Sequence, residues 1–334
     1  MSRITIKDIA KLLQVNVSTV SRALKDHPDI SVAMRARVQE VASELGYRPN
    51  FQAIHFRKKK SGLIGLILPD ISMFFFPSVI KAVEDEIRKF GYNLIVFQSA
   101  ESLQKEIQNL EICKGFGVEG VLVSISKETE NSAHFEDFAI DGVPVVFFDK
   151  VVKNTNFPSV IIQDFDAGYT AVQHLLEKKR RHICGFFDNI NLNISQLRYQ
   201  GFRQAQLDYG IKPADDLVLF TKNLAEARHV FRSFLKTNPK VDAIFMMSDE
   251  LLAIAMEVIY EMDKKVPEEI AVVCISDGYL PYFLQPKITH IQHSGIEVGR
   301  LAAGLLLEAL QKPGGEDFSK EVVVATHLVK LDSV

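Results

Sequence analysis

The chain has 334 residues, is 47% hydrophobic and carries a formal net charge of −3. That much apolar material supports two or three domains with their own cores, which excludes a disordered chain or a small disulfide-held scaffold. The longest apolar run, Leu63 to Leu68, is far too short to span a bilayer, and no apolar h-region follows Met1, so a cytoplasmic protein without membrane contact is expected.

Thr5 followed by Asp8 makes a capping-box-like start, after which Ile6, Ile9, Ala10 and Leu13 recur at helical spacing. Gln14 and Val15 break that period, and Asn16 is a good N-cap for the next helix. That helix turns Val20, Ala23 and Leu24 inward and Val17, Ser18, Ser21 and Arg22 outward. Two short amphipathic helices joined this tightly make a helix-turn-helix, whose second helix enters the major groove of DNA. Arg22 can donate two hydrogen bonds to the O6 and N7 edge of guanine, a pairing worth about 1–3 kcal/mol of base discrimination. Ser31 then caps a third helix carrying Met34, Val38, Val41, Ala42 and Leu45 on one face, and Gly46 stops it. Charge agrees: residues 1–60 hold twelve Lys/Arg against five acids, a head of +7 that leaves −10 for the remainder. A basic head on an acidic body is expected when one end meets phosphate.

Residues 46–62 connect head to body. Asn50 can cap a short helix through Phe56, followed by the charged exit Arg57-Lys58-Lys59-Lys60. A helix of about seven residues falls below the ~12–15 that are even marginal in water, so it is expected to fold only with a partner and DNA. Ala53 would allow a second copy to approach, and Phe56 would wedge between base pairs in the minor groove.

After Gly62, strands alternate with helices. Strands are predicted at 63–68, 93–97, 120–125 and 143–148, with helices at 77–90, 102–116 and 131–140. The rhythm is then expected to restart with a strand at 160–162, followed by strands at 182–187, 217–220, 243–247 and 270–275. Helices lie between these strands, and a late helix at 295–310 and a strand at 322–326 close the chain. The expected body is therefore two doubly wound parallel sheets with late segments crossing back, binding its ligand beyond the carboxyl ends of the strands. Asp70, Asp149, Asp188, Asn189, Ser248, Asp249, Ser276 and Asp277 stand at those ends. Cys113, Cys184 and Cys274 lie apart among apolar residues and read as reduced core thiols, with no metal or other cofactor implied.

The motifs resemble those of the lactose-repressor/galactose-repressor (LacI/GalR) family of bacterial transcription regulators, over essentially the full length. In the head the resemblance lies in Thr5-Ile6-Lys7-Asp8-Ile9-Ala10, Val17-Ser18-Thr19-Val20-Ser21-Arg22-Ala23-Leu24 and Leu45-Gly46-Tyr47-Arg48-Pro49-Asn50. In the body it lies in Ile64 to Asp70, Gly142 to Asp149, Arg198-Tyr199-Gln200-Gly201-Phe202, Ser248-Asp249-Glu250 and Pro286-Lys287-Ile288-Thr289. It implies an all-α helix-turn-helix head at 1–49, a hinge helix and linker at 50–61, and a two-lobed periplasmic-binding-protein-like α/β domain at 62–334. Its N-lobe would take about 62–160 and 293–322, and its C-lobe about 161–291 and 323–334. It also implies a homodimer, a palindromic operator of double-stranded DNA, and a small effector such as a sugar or sugar derivative.

Carried over from the resemblance, base reading falls on Val17, Ser18 and Arg22, and phosphate contact on Thr5, Asn16, Thr19, Ser21 and Ser31. The hinge contacts fall on Asn50, Ala53 and Phe56, and the effector pocket on Phe75, Phe76, Arg198, Asp249, Ser276 and Asp277. Arg198 suits a polyol because its planar fork can bridge adjacent hydroxyls. Some positions depart from the family. Gln14 stands where the turn usually has Gly, Phe56 replaces a hinge Leu, and Lys150 replaces a common Arg. Ser276 takes the place of the usual sugar-binding Asp, with Asp277 one position on, which points to a modified or acidic saccharide. An α/β enzyme or a transport-type binding protein with a fused head are the alternatives. The chain has no Gly-x-Ser-x-Gly elbow, phosphate-binding loop or clustered metal-ligand spacing, and a transport protein would not need a +7 head.

Overall fold

The structure is a computed structural model that describes residues 4–47, 61–221, 224–312 and 319–334. The expected hinge helix, with Asn50, Ala53 and Phe56, lies outside the described residues. The chain divides into two compact units, Met1–Ser61 and Gly62–Val334.

In the first unit, α1 (Ile6–Leu12), α2 (Val17–Ala23) and α3 (Val32–Glu44) close around Ile9, Ala10, Val20, Ala23, Val38, Val41 and Ala42. The Asp8 carboxylate accepts from the Thr5 backbone N–H at 2.8 Å and from the Thr5 hydroxyl at 2.7 Å, which ties down the first turn of α1. The Thr5 hydroxyl also holds the Asp8 pKa below the usual carboxylate range. Ser31 caps α3 by accepting from the Met34 N–H at 3.3 Å. Asn16 occupies the N-cap of α2 with extended backbone, but its side chain makes no capping bond. Gln14 turns the chain between α1 and α2 at φ +52°, the left-handed region that a Cβ disfavours.

The second unit holds two sheets. The first contains β1 (Leu63–Leu68), β2 (Asn93–Gln98), β3 (Gly120–Val123), β4 (Val145–Phe148), β5 (Ser159–Ile162) and β11 (Glu321–Val324). All its strands are parallel, in the order β11-β5-β4-β3-β1-β2. The second contains β6 (Ile183–Phe187), β7 (Val218–Phe220), β8 (Ala243–Met246), β9 (Ala271–Ser276), β10 (Thr289–Gln292) and β12 (His327–Val329), in the order β12-β10-β9-β8-β6-β7. Here β12 runs antiparallel to β10 at the edge, and the other pairs are parallel. Both central strands β3 and β8 are buried along their whole length, as a sheet covered on two faces requires. The helices around them are α4 (Phe76–Arg88), α5 (Leu103–Phe116), α6 (Ala133–Ala139), α7 (Asp164–Glu177), α8 (Asn193–Asp208), α9 (Leu224–Thr237), α10 (Asp249–Glu261) and α11 (Gly295–Gln311).

Three differences from the sequence reading bear on the site. The strand expected to open the second lobe, β5, belongs to the first sheet beside β4, because the period of a strand does not name its neighbour. The last crossing falls after Val324 instead of before 323, since β11 pairs with β5 from Glu321 to Val324. The strands β10 and β12 fall outside the expected strands, and β12 makes the second sheet mixed instead of wholly parallel. The chain therefore passes between the sheets between β5 and α7, between β10 and α11, and between β11 and β12. The first and last passages are stitched together: the Gln163 N–H donates to the Val324 carbonyl at 3.2 Å and the Gln163 side-chain oxygen accepts from the Thr326 N–H at 3.1 Å.

Candidate effector cleft and nucleic-acid interface

The carboxyl ends of the two sheets face a common cavity of about 640 Å³, partly open to solvent. That volume includes the open mouth of the cleft. Phe75 and Phe76, placed by the turn after β1, form an aromatic wall with their ring centroids 5.6 Å apart, edge to face. His293, on the passage from β10 to α11, packs on Phe75 at 5.0 Å. Asp149 and Lys150 enter from the end of β4, Asp188 from the end of β6, and Asp249 and Glu250 from the start of α10. Asp149 holds φ +59°, backbone strain of a kind that gathers at functional sites.

Arg198 reaches the cavity because α7 and α8 pack backbone to backbone. A Cβ on Gly201 would stand 2.1 Å from the Phe165 carbonyl oxygen, and one on Gly168 would stand 2.3 Å from that of Arg198. This close approach explains the Arg-x-x-Gly spacing and brings Asp164 to Arg198. Arg198 Nε donates to Asp164 at 2.7 Å and Nη1 to the Met247 carbonyl at 2.6 Å, so part of its fork is already engaged. Burial pushes Asp164 up to about 6 against the pull of Arg198. Lys150, almost wholly buried, donates to Glu101 at 2.6 Å. Burial alone would lower its pKa, but Glu101 and Asp149 outweigh this and raise it. Burial and the Arg198 charge push His293 down to about 3, which leaves it neutral.

The remaining expected pocket residues divide. Phe75, Phe76, Arg198 and Asp249 line the cavity; Ser276 and Asp277 do not, and their neighbour Ile275 does. The Ser276 hydroxyl accepts from the Gly278 N–H at 2.9 Å. The Asp277 carboxylate accepts from the Ser78 hydroxyl at 2.5 Å and from the Gly295 N–H at 2.8 Å, so it braces α4 and α11 instead of facing a ligand. Its backbone N–H donates to Asp249 Oδ2 at 3.3 Å. The missing carboxylate at 276 does not leave the lining short of acids. Asp149, Asp188, Asp249 and Glu250 line the cavity against Lys150 and Arg198, which are both already ion-paired. Glu250 Oε1 further accepts from the Phe74 N–H at 3.0 Å, a bond that spans the mouth of the cleft. Sequence reading missed His293, Asp164 and Glu101. His293 follows a short strand without an apolar run, and the other two act through Arg198 and Lys150.

In the head, Val17, Thr19 and Ser21 are half-buried, and Thr5, Asn16, Ser18, Arg22 and Ser31 are exposed. Arg22 makes only a loose surface contact with Asp29 at 3.9 Å, which leaves its guanidinium available. The exposed Ser18 and Arg22 stand on α2, beside the Asn16 amide that leaves the helix uncapped.

The family model for periplasmic binding proteins and the sugar binding domain of the LacI family matches residues 61–329. The model for bacterial regulatory proteins of the lacI family matches residues 5–50. The chain belongs to the LacI family. It is a DNA-binding transcriptional regulator with a helix-turn-helix head and a periplasmic-binding-protein-like body. The ribose operon repressor of Halalkalibacterium halodurans is 30% identical over 95% of this chain and 94% of its own. The catabolite control protein A of Priestia megaterium is 26% identical over 98% of each. Among solved structures, the lac repressor dimer bound to operator and the anti-inducer ONPF matches with a TM-score of 0.85 at 20% identity, over 99% of each chain. The complex of the regulator CelR with cellobiose matches at 0.73 and 24%, over 99% of this chain and 100% of that one. At these identities the two structures speak for the fold. No LacI-family helix among the described residues is long and apolar enough to cross a membrane.

Proposed function

We propose that this LacI-family chain binds a palindromic operator as a homodimer, represses from it, and changes its operator affinity when a small polyhydroxylated effector, a sugar or sugar derivative, occupies the cleft. The observation that carries this reading is the cavity itself: an aromatic wall opposite charged groups, set between two sheets whose connecting passages form a hinge. The ribose operon repressor by its name, and the CelR structure by its bound cellobiose, support a saccharide as the ligand class. The lac repressor dimer on its operator supports the assembly.

In this reading Val17, Ser18 and Arg22 meet base edges, while Thr5, Asn16, Thr19, Ser21 and Ser31 meet phosphates. Asn50, Ala53 and Phe56 serve the minor groove, and Phe75, Phe76, Arg198 and Asp249 hold the effector. Ser276 and Asp277 act from behind, through Asp249. The cleft binds and is given no catalytic step. Effector binding favours one angle between the lobes, and each lobe angle favours a different spacing of the two hinge segments in the dimer. Operator selection from random duplexes, followed by titration with and without a saccharide panel, tests this. Enrichment of a symmetric sequence whose affinity shifts with one saccharide is expected; no enrichment over random DNA overturns it.

A further inference from the structure

We infer that the effector of this cleft is cationic: a polyhydroxylated molecule bearing a protonated amino group, received by Asp249. The inference rests on reading the cleft as the effector site and adds the charge of its ligand. Among the described residues four carboxylates line the cavity, from Asp149, Asp188, Asp249 and Glu250, against two cationic side chains. Neither cation has charge to spare. Lys150 is paired with Glu101 at 2.6 Å and Arg198 with Asp164 at 2.7 Å, two acids that stand behind the lining. His293 adds none, because burial keeps it neutral.

The second observation is Asp249 itself. It is only 5% exposed and lines the cavity. Its Oδ2 accepts from the Asp277 N–H and the Ser276 hydroxyl offsets part of its burial, while Oδ1 is buried with no hydrogen-bond partner among the described residues. A buried carboxylate oxygen left without a donor is costly, and a ligand ammonium supplies both the donor and the opposite charge. Burial, reinforced by Glu250 and the Asp277 charge, accordingly raises Asp249 to about 7, and burial also raises Asp149 and Asp188. The aromatic wall of Phe75 and Phe76 suits the same guest, since aromatic rings attract a cation as well as the apolar side of a sugar ring. A carboxylated saccharide would bring a fifth carboxyl group among these four.

The test uses the full-length protein and a set matched in shape but not in charge: 2-amino-2-deoxyhexoses, the parent hexoses and the corresponding uronic acids. The amino-pentoses and pentoses extend the series. Melting temperature and calorimetric affinity are measured at neutral pH. An amino member should bind at least about tenfold tighter than its neutral parent, and its uronate should not bind. Asp249→Asn, which keeps shape and removes charge, should erase that tenfold preference, so that the amino member and its neutral parent bind with similar affinity. Glu250→Gln provides a second variant and should weaken the preference in the same direction. A neutral sugar or uronate that binds as tightly as its amine overturns the cationic assignment and leaves the effector reading standing. No shift with any member at about 10 mM overturns both.

Discussion

The Asp277 carboxylate holds the Ser78 hydroxyl at 2.5 Å across the join between the lobes, and its other oxygen takes the first N–H of α11, from Gly295. Since its own N–H donates to Asp249, one residue links the cavity lining to the two helices that cover one face of the first sheet. Asp277→Ala should destabilise the protein by about 1–3 kcal/mol by leaving the Gly295 N–H unmatched and the Ser78 hydroxyl with the Phe75 carbonyl alone, and Asp277→Asn by less, because one carbonyl oxygen remains. Urea unfolding of both variants measures this. Equal stability of Asp277→Ala and the parent would show that the brace contributes nothing.

Gln14 holds φ +52° in the turn of the helix-turn-helix. Gln14→Gly relieves the Cβ of that strain but loosens the unfolded chain. The strain relief should exceed the entropic cost and give a gain of about 0.5–1 kcal/mol. Thermal unfolding of the isolated transition of the head, followed by circular dichroism, reads this out; a loss of stability would contradict it.

The backbone contact at Gly201 sets where Arg198 points. Gly201→Ala places a methyl carbon 2.1 Å from the Phe165 carbonyl oxygen, so α7 and α8 must separate. The expected loss is about 1–3 kcal/mol, as for overpacking elsewhere, together with a weakened effector response through the Asp164–Arg198 pair. A variant with unchanged melting temperature and unchanged response would remove the stated reason for glycine at this position.

Asp249 sits at about 7 and Asp164 at about 6 in the fold, against 3.8 for a free aspartate. For an acid raised in this way the folded state holds more protons between the two values. Its contribution to stability therefore falls as pH climbs through that window. Without effector, Asp249→Asn should remove part of the decline between about pH 4 and pH 7. It should melt higher than the parent at about pH 8, by on the order of a few kcal/mol at most. Parallel pH profiles for the two proteins would count against a buried, uncompensated carboxylate.

Arg22→Ala should flatten discrimination at one base pair of each half-site by about 1–3 kcal/mol, while binding to random duplex falls far less. Fluorescence anisotropy on matched and mutated operators checks this at fixed salt. An equal loss on both would reassign Arg22 to phosphate contact.

Much of this is written in local pattern. The caps at Thr5 and Ser31 and the periods of Ile9, Ala10, Val20 and Ala23 define three helices without any long-range knowledge, and the helices form as read. Apolar runs ending in polar residues likewise expose Asp149, Asp188 and Asp249 as candidates, because strand ends of a doubly wound sheet face its crevice. What local pattern does not carry is partnership. Nothing in Ser159–Ile162 says which sheet it joins, and His290 within β10 is buried at 0% exposure although no apolar run marks that strand. The divergence of Ser276 and Asp277 from the lining has the same source. Both are polar and stand where a ligand contact is expected, yet their side chains are taken by Gly278, Ser78 and Gly295, contacts that only tertiary packing creates.

The three passages between the sheets, two of them tied through Gln163, are laid out like a piano hinge. Such a joint resists sliding and pulling apart but yields to rotation about a single axis. In the proposed reading, the message that an entering molecule can write is an angle. The chemistry of recognition is thus free to change, residue by residue, without any rewriting of how the signal leaves the cavity.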